Sequence, residues 1–198
     1  MYNIDIFKNY NPKIIGKKRE FSVMILIVEE NGVQKIVLEK RALTLKSQPG
    51  DICLPGGSID LGETEKEAAI RETMEELNIK SSDIEFIGPM DFFVSPYGHV
   101  MFPFVSKTKI KDFYPNKDEV DHVIKVPIKH FIENKPLIYE TEIVSNMGED
   151  FPYHLIENGK DYNFSKSKHK QYFYKYNNYV IWGFTAQVVK SFIDIINN

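Results

Sequence analysis

The chain has one cysteine, one tryptophan, no apolar run long enough to cross a bilayer and no excess of positive charge. Each shortage excludes something. A lone Cys53 rules out an intrachain disulfide and leaves a cysteine-based zinc centre short of ligands; a reducing, cytoplasmic location is the expectation. No stretch approaches the roughly 18 apolar residues that a helical span needs, so no membrane segment is expected. With 25 Lys and Arg against 28 Asp and Glu, the net charge is -3 and the pI about 6.0. The basic footprint of a duplex-binding protein is missing, and nucleic acid is not an expected partner. The histidines (His99, His122, His130, His154 and His169) show no metal-ligand spacing. Residues 1–20 lack a long apolar h-region and are read as an N-terminal extension, not a secretory leader.

What is present is the composition of a globular domain. The 198 residues are 42% hydrophobic and 27% charged, enough to bury a sizeable core, and residues 1–198 are read as one domain. Phe21–Val28 is a continuous apolar run, and Lys35–Leu38 resumes after Asn31-Gly32, which predicts a hairpin into a buried strand pair. Asp51–Leu54 is a third short strand, stopped by Pro55-Gly56-Gly57. Strands are expected at Ile84–Gly88, Phe92–Val94 and Val100–Ser106, with Ser95-Pro96-Tyr97-Gly98 as a turn. Val120–Val126 is a further strand, and Ile128–Glu133 a helical turn after Pro127. The Tyr-, Asn- and Lys-rich stretch from Ile138 to Tyr179 carries little pattern; strands at Tyr153–Ile156 and Gln171–Tyr174 around Asn158-Gly159 are the expectation. Residues 157–170 read as an insertion. Trp182–Ile196 closes the chain as an amphipathic helix, with Ala186, Val189, Ile193 and Ile196 at helical spacing and their apolar stripe serving as core or as a homodimer surface.

The chemistry is concentrated between Gly57 and Ile79. Thr64 and Glu67 have the spacing of a capping box, and Asn78 tolerates the left-handed conformation that ends a helix. The helix is therefore expected over about residues 65–77. At about 100° per residue, Glu72, Glu75 and Glu76 share one face, and Ile70, Thr73, Met74 and Leu77 the other. Three carboxylates so close repel one another, and divalent cations relieve the conflict. Carboxylate oxygens suit Mg²⁺ or Mn²⁺. Arg71, one turn before Glu75, is placed to orient it through a bidentate contact. A solvated acidic face is the commoner outcome for an arbitrary helix of this kind. The Pro55-Gly56-Gly57 loop tips the balance, because its close backbone approach sets Glu63 and the helix N-terminus beside one site.

The segment resembles the Nudix box, G-x5-E-x7-R-E-U-x-E-E-x-G-U with U aliphatic: Gly57, Glu63, Arg71, Glu72, Glu75, Glu76 and Ile79 match, Thr73 replaces an aliphatic residue and Asn78 a glycine. The resemblance implies an α+β Nudix fold, a mixed sheet sandwiched between helices in an α/β/α arrangement. It implies hydrolysis of a nucleoside diphosphate linked to another moiety, with Glu72, Glu75, Glu76 and Gly57 at the metal and Arg71 holding the constellation. A second stretch, Leu38–Ala42 and Leu45–Gly57, is similar to the motif upstream of the box in coenzyme A pyrophosphatases, with Lys46 in place of arginine, Gln48 of histidine and Leu54 of phenylalanine. Asn116–Pro127 and Ile181–Ala186 are similar to that family's N-x-x-E-V and I-W-G-x-T-A segments. The implied reaction takes coenzyme A, a small-molecule nucleotide, to 3′,5′-ADP and 4′-phosphopantetheine. Arg41 and Lys46, with Gly56 and Gly57, are the candidate substrate contacts. Glu76, Glu72 or Glu119 is the candidate general base. Trp182 and the tyrosines of residues 172–179 can stack on adenine, although core packing is the favoured reading. Two alternatives stand beside this: a Nudix diphosphatase for ADP-ribose, NADH or a nucleoside triphosphate, and a Nudix-fold sensor that binds a nucleotide without cutting it.

Overall fold

The computed structural model describes residues 3–12, 14–17 and 19–197. Its main sheet begins with a long hairpin, β1 (Arg19–Glu30) and β2 (Val33–Arg41). Asn31 and Gly32 both take positive φ, as a two-residue hairpin turn requires, and fix the register at Glu30↔Val33 and Ile27↔Ile36. Three short or medium strands join this pair. They are β3 (Ile52–Cys53) on β2, β4 (Gly56–Ser58) on β1, and β8 (Val120–Pro127) on β2. On the other side β1 runs parallel to β7 (His99–Thr108), which pairs with β5 (Glu85–Pro89) and β6 (Phe93–Val94). The result is a mixed eight-stranded sheet.

Both faces of that sheet are covered, which explains why β1 is apolar without alternation. Met24, Leu26 and Val28 point to one face, where they pack with Val37, Phe104 and the Ala69 and Leu77 side chains of α1 (Glu65–Leu77). Val23, Ile25 and Ile27 point to the other. There they meet Ile36, Leu38, α2 (Ile128–Glu133) and the Ala186, Val189 and Ile193 stripe of α3 (Gly183–Ile196). The expected mixed sheet between helices is what the chain forms.

The second half keeps the expected strand over Gln171–Tyr174 but departs from expectation elsewhere. Tyr153–Leu155 is a single 3₁₀ turn and not a strand. Asn158 and Gly159 do take left-handed φ, but the chain leaves them into another 3₁₀ turn instead of a returning strand. The strands are β9 (Leu137–Ile143) and β10 (Ser167–Tyr176), paired from Leu137↔Phe173 to Ile143↔Ser167, with β11 (Tyr179–Trp182) completing a separate antiparallel sheet. Six of the seven β9 side chains are exposed, so no period-two burial pattern marked it. Asn177, at positive φ, makes the true hairpin turn. Trp182 ends β11 instead of opening the last helix, and Ile196 stands exposed beyond the buried stripe.

Candidate active site

Helix α1 is placed by its ends. The Thr64 hydroxyl accepts from the Glu67 amide at 3.3 Å, and the Glu67 carboxylate accepts from the Thr64 amide at 2.9 Å. At the other end Asn78 sits at φ 53°, ψ 49° and its amide donates to the Met74 carbonyl. The helix is anchored on the sheet through β4. Gly56 lies at φ 148° with no room for a side chain: a Cβ there would fall 2.2 Å from the Ser22 carbonyl oxygen and 2.7 Å from Val23 Cα. This close approach presents the Gly56 amide to Glu76, whose Oε2 accepts from it at 2.8 Å. Gly57 faces Glu72 in the same way; a Cβ on Gly57 would stand 2.4 Å from the Glu72 carboxylate carbon.

The three helix glutamates therefore occupy different environments, and do not share one solvent-facing side. Glu76 is only 6% exposed, Glu72 is half-buried and Glu75 is exposed. The helical angle of Glu76 lies within about 20° of that of the buried Ala69, and β4 covers that edge. Burial pushes the Glu76 carboxyl up to about 7, against the lowering effect of the Gly56 amide. Burial also raises Glu72, opposed by Arg71.

Arg71 makes its bidentate contact with Glu63, at 2.9 Å from Nε and 3.0 Å from Nη2, and not with Glu75. Its Nη1 donates to Glu72 at 2.9 Å and Glu75 at 3.2 Å, and Nη2 also donates to the Ser58 carbonyl at 3.1 Å. The Arg71 guanidinium in turn holds the Glu63 carboxyl below its ordinary value. One side chain thus ties the loop glutamate, the helix glutamates and β4 together.

These groups open onto a cleft of about 820 Å³. Gly56, Gly57, Glu72, Glu76 and Arg41 line it, and so does Glu119. Glu119 arrives there because the Asn116 amide donates to the Glu76 carbonyl at 2.9 Å and the Ala42 amide to the Glu119 carbonyl at 2.8 Å. Lys46 is exposed and does not line the cleft. Several lining residues carried no earlier assignment to the site: Arg19, Tyr97, His99, Gln171 and Phe184. His99 Nδ1 is buried without a partner. Trp182 also lines the cleft, 43% exposed and stacked on Phe173 with ring centroids 6.0 Å apart at 5°. Glu39 is fully buried behind Glu76, and burial first and Glu76 second hold its carboxyl well above the ordinary value. Neither Glu39 nor His99 has a local signal, because each is defined only by what packs around it.

Among the described residues, no three His, Cys, Asp or Glu side chains converge into a closed metal cage. An open, all-oxygen donor set still fits a hard divalent cation. Mg²⁺ is usually held by one or two carboxylates and fills its shell with water and substrate phosphate, and Glu72 and Glu76 both line the cleft.

Residues 18–142 match the family model described as "NUDIX domain". The chain is 34% identical over 125 residues to "Nudix hydrolase 3" of Caenorhabditis elegans, covering 59% of this chain and 50% of that one. It is 29% identical over 140 residues to "Peroxisomal coenzyme A diphosphatase NUDT7" of Mus musculus, covering 70% and 58%. The matches thus span about half the length of these two relatives. Among solved structures, a MutT/nudix family protein from Enterococcus faecalis superposes with a TM-score of 0.56 at 13% identity, covering 98% of this chain and 68% of that one, a likeness of fold.

Proposed function

The chain belongs to the NUDIX family, and on that premise we propose that it hydrolyses the diphosphate bridge of coenzyme A or a derivative, giving 3′,5′-ADP and 4′-phosphopantetheine. One observation carries the choice of substrate. The two segments that resemble coenzyme A pyrophosphatases, around Arg41–Gly57 and Ile181–Ala186, lie far apart in the chain but line the same cleft as Glu72 and Glu76. The mouse relative, a coenzyme A diphosphatase by name, points the same way.

The residues divide the work by position. Glu72 and Glu76, with Gly57 beside them, would hold Mg²⁺ or Mn²⁺, while exposed Glu75 stays on Arg71. A cation held there would neutralise charge on diphosphate oxygens and lower the pKa of a water. Arg71 keeps Glu72 and Glu75 in place while the Gly56 amide pins Glu76, so the carboxylates are set before substrate arrives. Arg41 offers its guanidinium to substrate phosphate from the cleft wall. Glu119, exposed on the loop tethered to α1, takes the proton of the attacking water as general base. Trp182 and Tyr97 give an aromatic wall against which adenine stacks. No helix among the described residues is long and apolar enough to span a membrane; cytoplasmic residence is part of this reading, on the lone Cys53.

A substrate panel tests it. Purified protein with Mg²⁺ or Mn²⁺ is given coenzyme A, ADP-ribose, NADH and a nucleoside triphosphate, and products are read by mass. Coenzyme A is expected to turn over fastest and to yield the two named fragments. Faster cleavage of ADP-ribose would sink the substrate assignment while leaving the diphosphatase chemistry standing.

A further inference from the structure

Glu39 has no part in the steps above. It sits in mid-β2, its backbone paired to Cys53 on one side and Val123 on the other. Its side chain is 0% exposed, and neither carboxylate oxygen accepts from an N–H or hydroxyl donor; the polar group it touches is the Glu76 carboxyl. Strand alternation sends it to the α1 face, as it does Val37. There it meets Glu76, one of whose oxygens is taken by the Gly56 amide. Glu119 adds a third negative charge nearby, and Arg41 is the cation that acts on Glu39 from a distance. Arg71 is engaged by Glu63, Glu72 and Glu75. Among the described residues, no Lys, Arg or His forms an ion pair with Glu39 or Glu76.

Two carboxylates buried against each other, one of them with no donor at all, are an unfinished site: a buried charge persists only when something neutralises it. The open side of the pair is the cleft, through Glu76. We propose that Glu39 is a positioning residue of the divalent-cation site, backing Glu76 from inside the sheet so that an ion bound through Glu76 neutralises both. The inference rests on the metal reading given under Proposed function and goes deeper into the same site. It makes the affinity for the cation depend on a residue that never reaches the cleft.

The full chain, freed of metal with a chelator, is titrated with Mn²⁺ alone. Free ion is read by electron paramagnetic resonance, and Tm is measured with and without Mn²⁺. Glu39→Gln is expected to weaken Mn²⁺ binding by about tenfold or more. It leaves the Tm of the metal-free protein near wild type and shrinks the further rise that Mn²⁺ produces. Glu39→Asp, which restores the charge, returns affinity toward wild type; a residue that only fills space would give no such rescue. Should the Gln variant not fold, Glu39→Met, neutral and of similar length, is held to the same expected loss. Wild-type Mn²⁺ affinity in a folded neutral variant overturns the inference and marks the pair as sharing a proton. If wild-type protein itself takes up no Mn²⁺, the metal reading fails, and this inference falls with it.

Discussion

Arg71 decides how the acidic cluster is arranged. Five acceptor oxygens, from Glu63, Glu72, Glu75 and Ser58, converge on its one guanidinium. A lysine supplies the charge but not the planar fork, and cannot serve the loop, the helix and β4 at once. Arg71→Lys is therefore expected to lower kcat/KM by about 10²-fold, the scale of a misplacement of about 1 Å in a reacting group. Steady-state kinetics beside a thermal melt checks this; a variant with wild-type kinetics would show that Arg71 only decorates the helix. A second residue reports on the fold alone. Glu30, at the end of β1, lies between Lys35 at 2.6 Å and Lys125, and hydrogen bonds from Lys125 and then Lys35 hold its carboxyl at about 2. A folded value below the ordinary 4.5 means that the stabilisation is present above about pH 4.5 and is lost as pH falls toward 2. Glu30→Gln should cost about 1 kcal/mol at neutral pH, near the low end because the pair is partly solvated. The gap from wild type, followed by denaturant melts, should close across that acid window.

At the scale of elements, β4 is the joint between the sheet and α1, and its two glycines fail differently when substituted. At Gly56 an added Cβ strikes backbone, 2.2 Å from the Ser22 oxygen, at a φ that a side chain rarely adopts. Gly56→Ala should lose more than about 3 kcal/mol of stability in urea unfolding. At Gly57 the φ is ordinary and the clash is with the movable end of Glu72. Gly57→Ala should keep stability within about 1 kcal/mol and lose activity instead, because Glu72 must swing aside. Equal destabilisation of both would refute this division. Much of α1 was legible in the sequence because its signals are local: the Thr64–Glu67 box, Asn78 at the end, the glutamate spacing. The β1–β2 hairpin was legible for the same reason, through Asn31-Gly32. The burial of Glu76 was not. It comes from Gly56 pairing with Val23, more than thirty positions earlier, and periodicity within a helix does not register a strand laid against it. The Glu63 partner of Arg71 was hidden because the path of a five-residue loop is not fixed by its length. β10 was read only in part, over Gln171–Tyr174, and β9 was missed, because their pairing spans a long irregular connection and β9 is solvated on nearly every side chain.

At the scale of the whole molecule, the cleft belongs to no single segment. The chain from Arg41 to Gly57 makes one wall, α1 contributes its glutamates, and Trp182–Thr185 closes the far side from the start of α3. Trp182 is the residue where this assembly can be tested without disturbing the rest. It caps the end of β11, stacks on Phe173, and leaves nearly half its surface open to the cleft, while the buried stripe of α3 begins only at Ala186. Removing the indole should therefore spare the core and act on the ligand. Stacking one base on an aromatic ring contributes about 1–3 kcal/mol, and about 1.4 kcal/mol corresponds to tenfold in affinity. Trp182→Ala is expected to raise KM for coenzyme A about tenfold with kcat nearly unchanged and Tm close to wild type. The opposite pattern, a lower Tm with KM untouched, would return Trp182 to the packing role and leave the adenine end of the substrate to Tyr97 and Phe184. Because Glu72 and Glu76 stand more than a hundred positions earlier in the chain, a rise in KM alone would also argue that the C-terminal segment and the acidic helix act on one bound molecule.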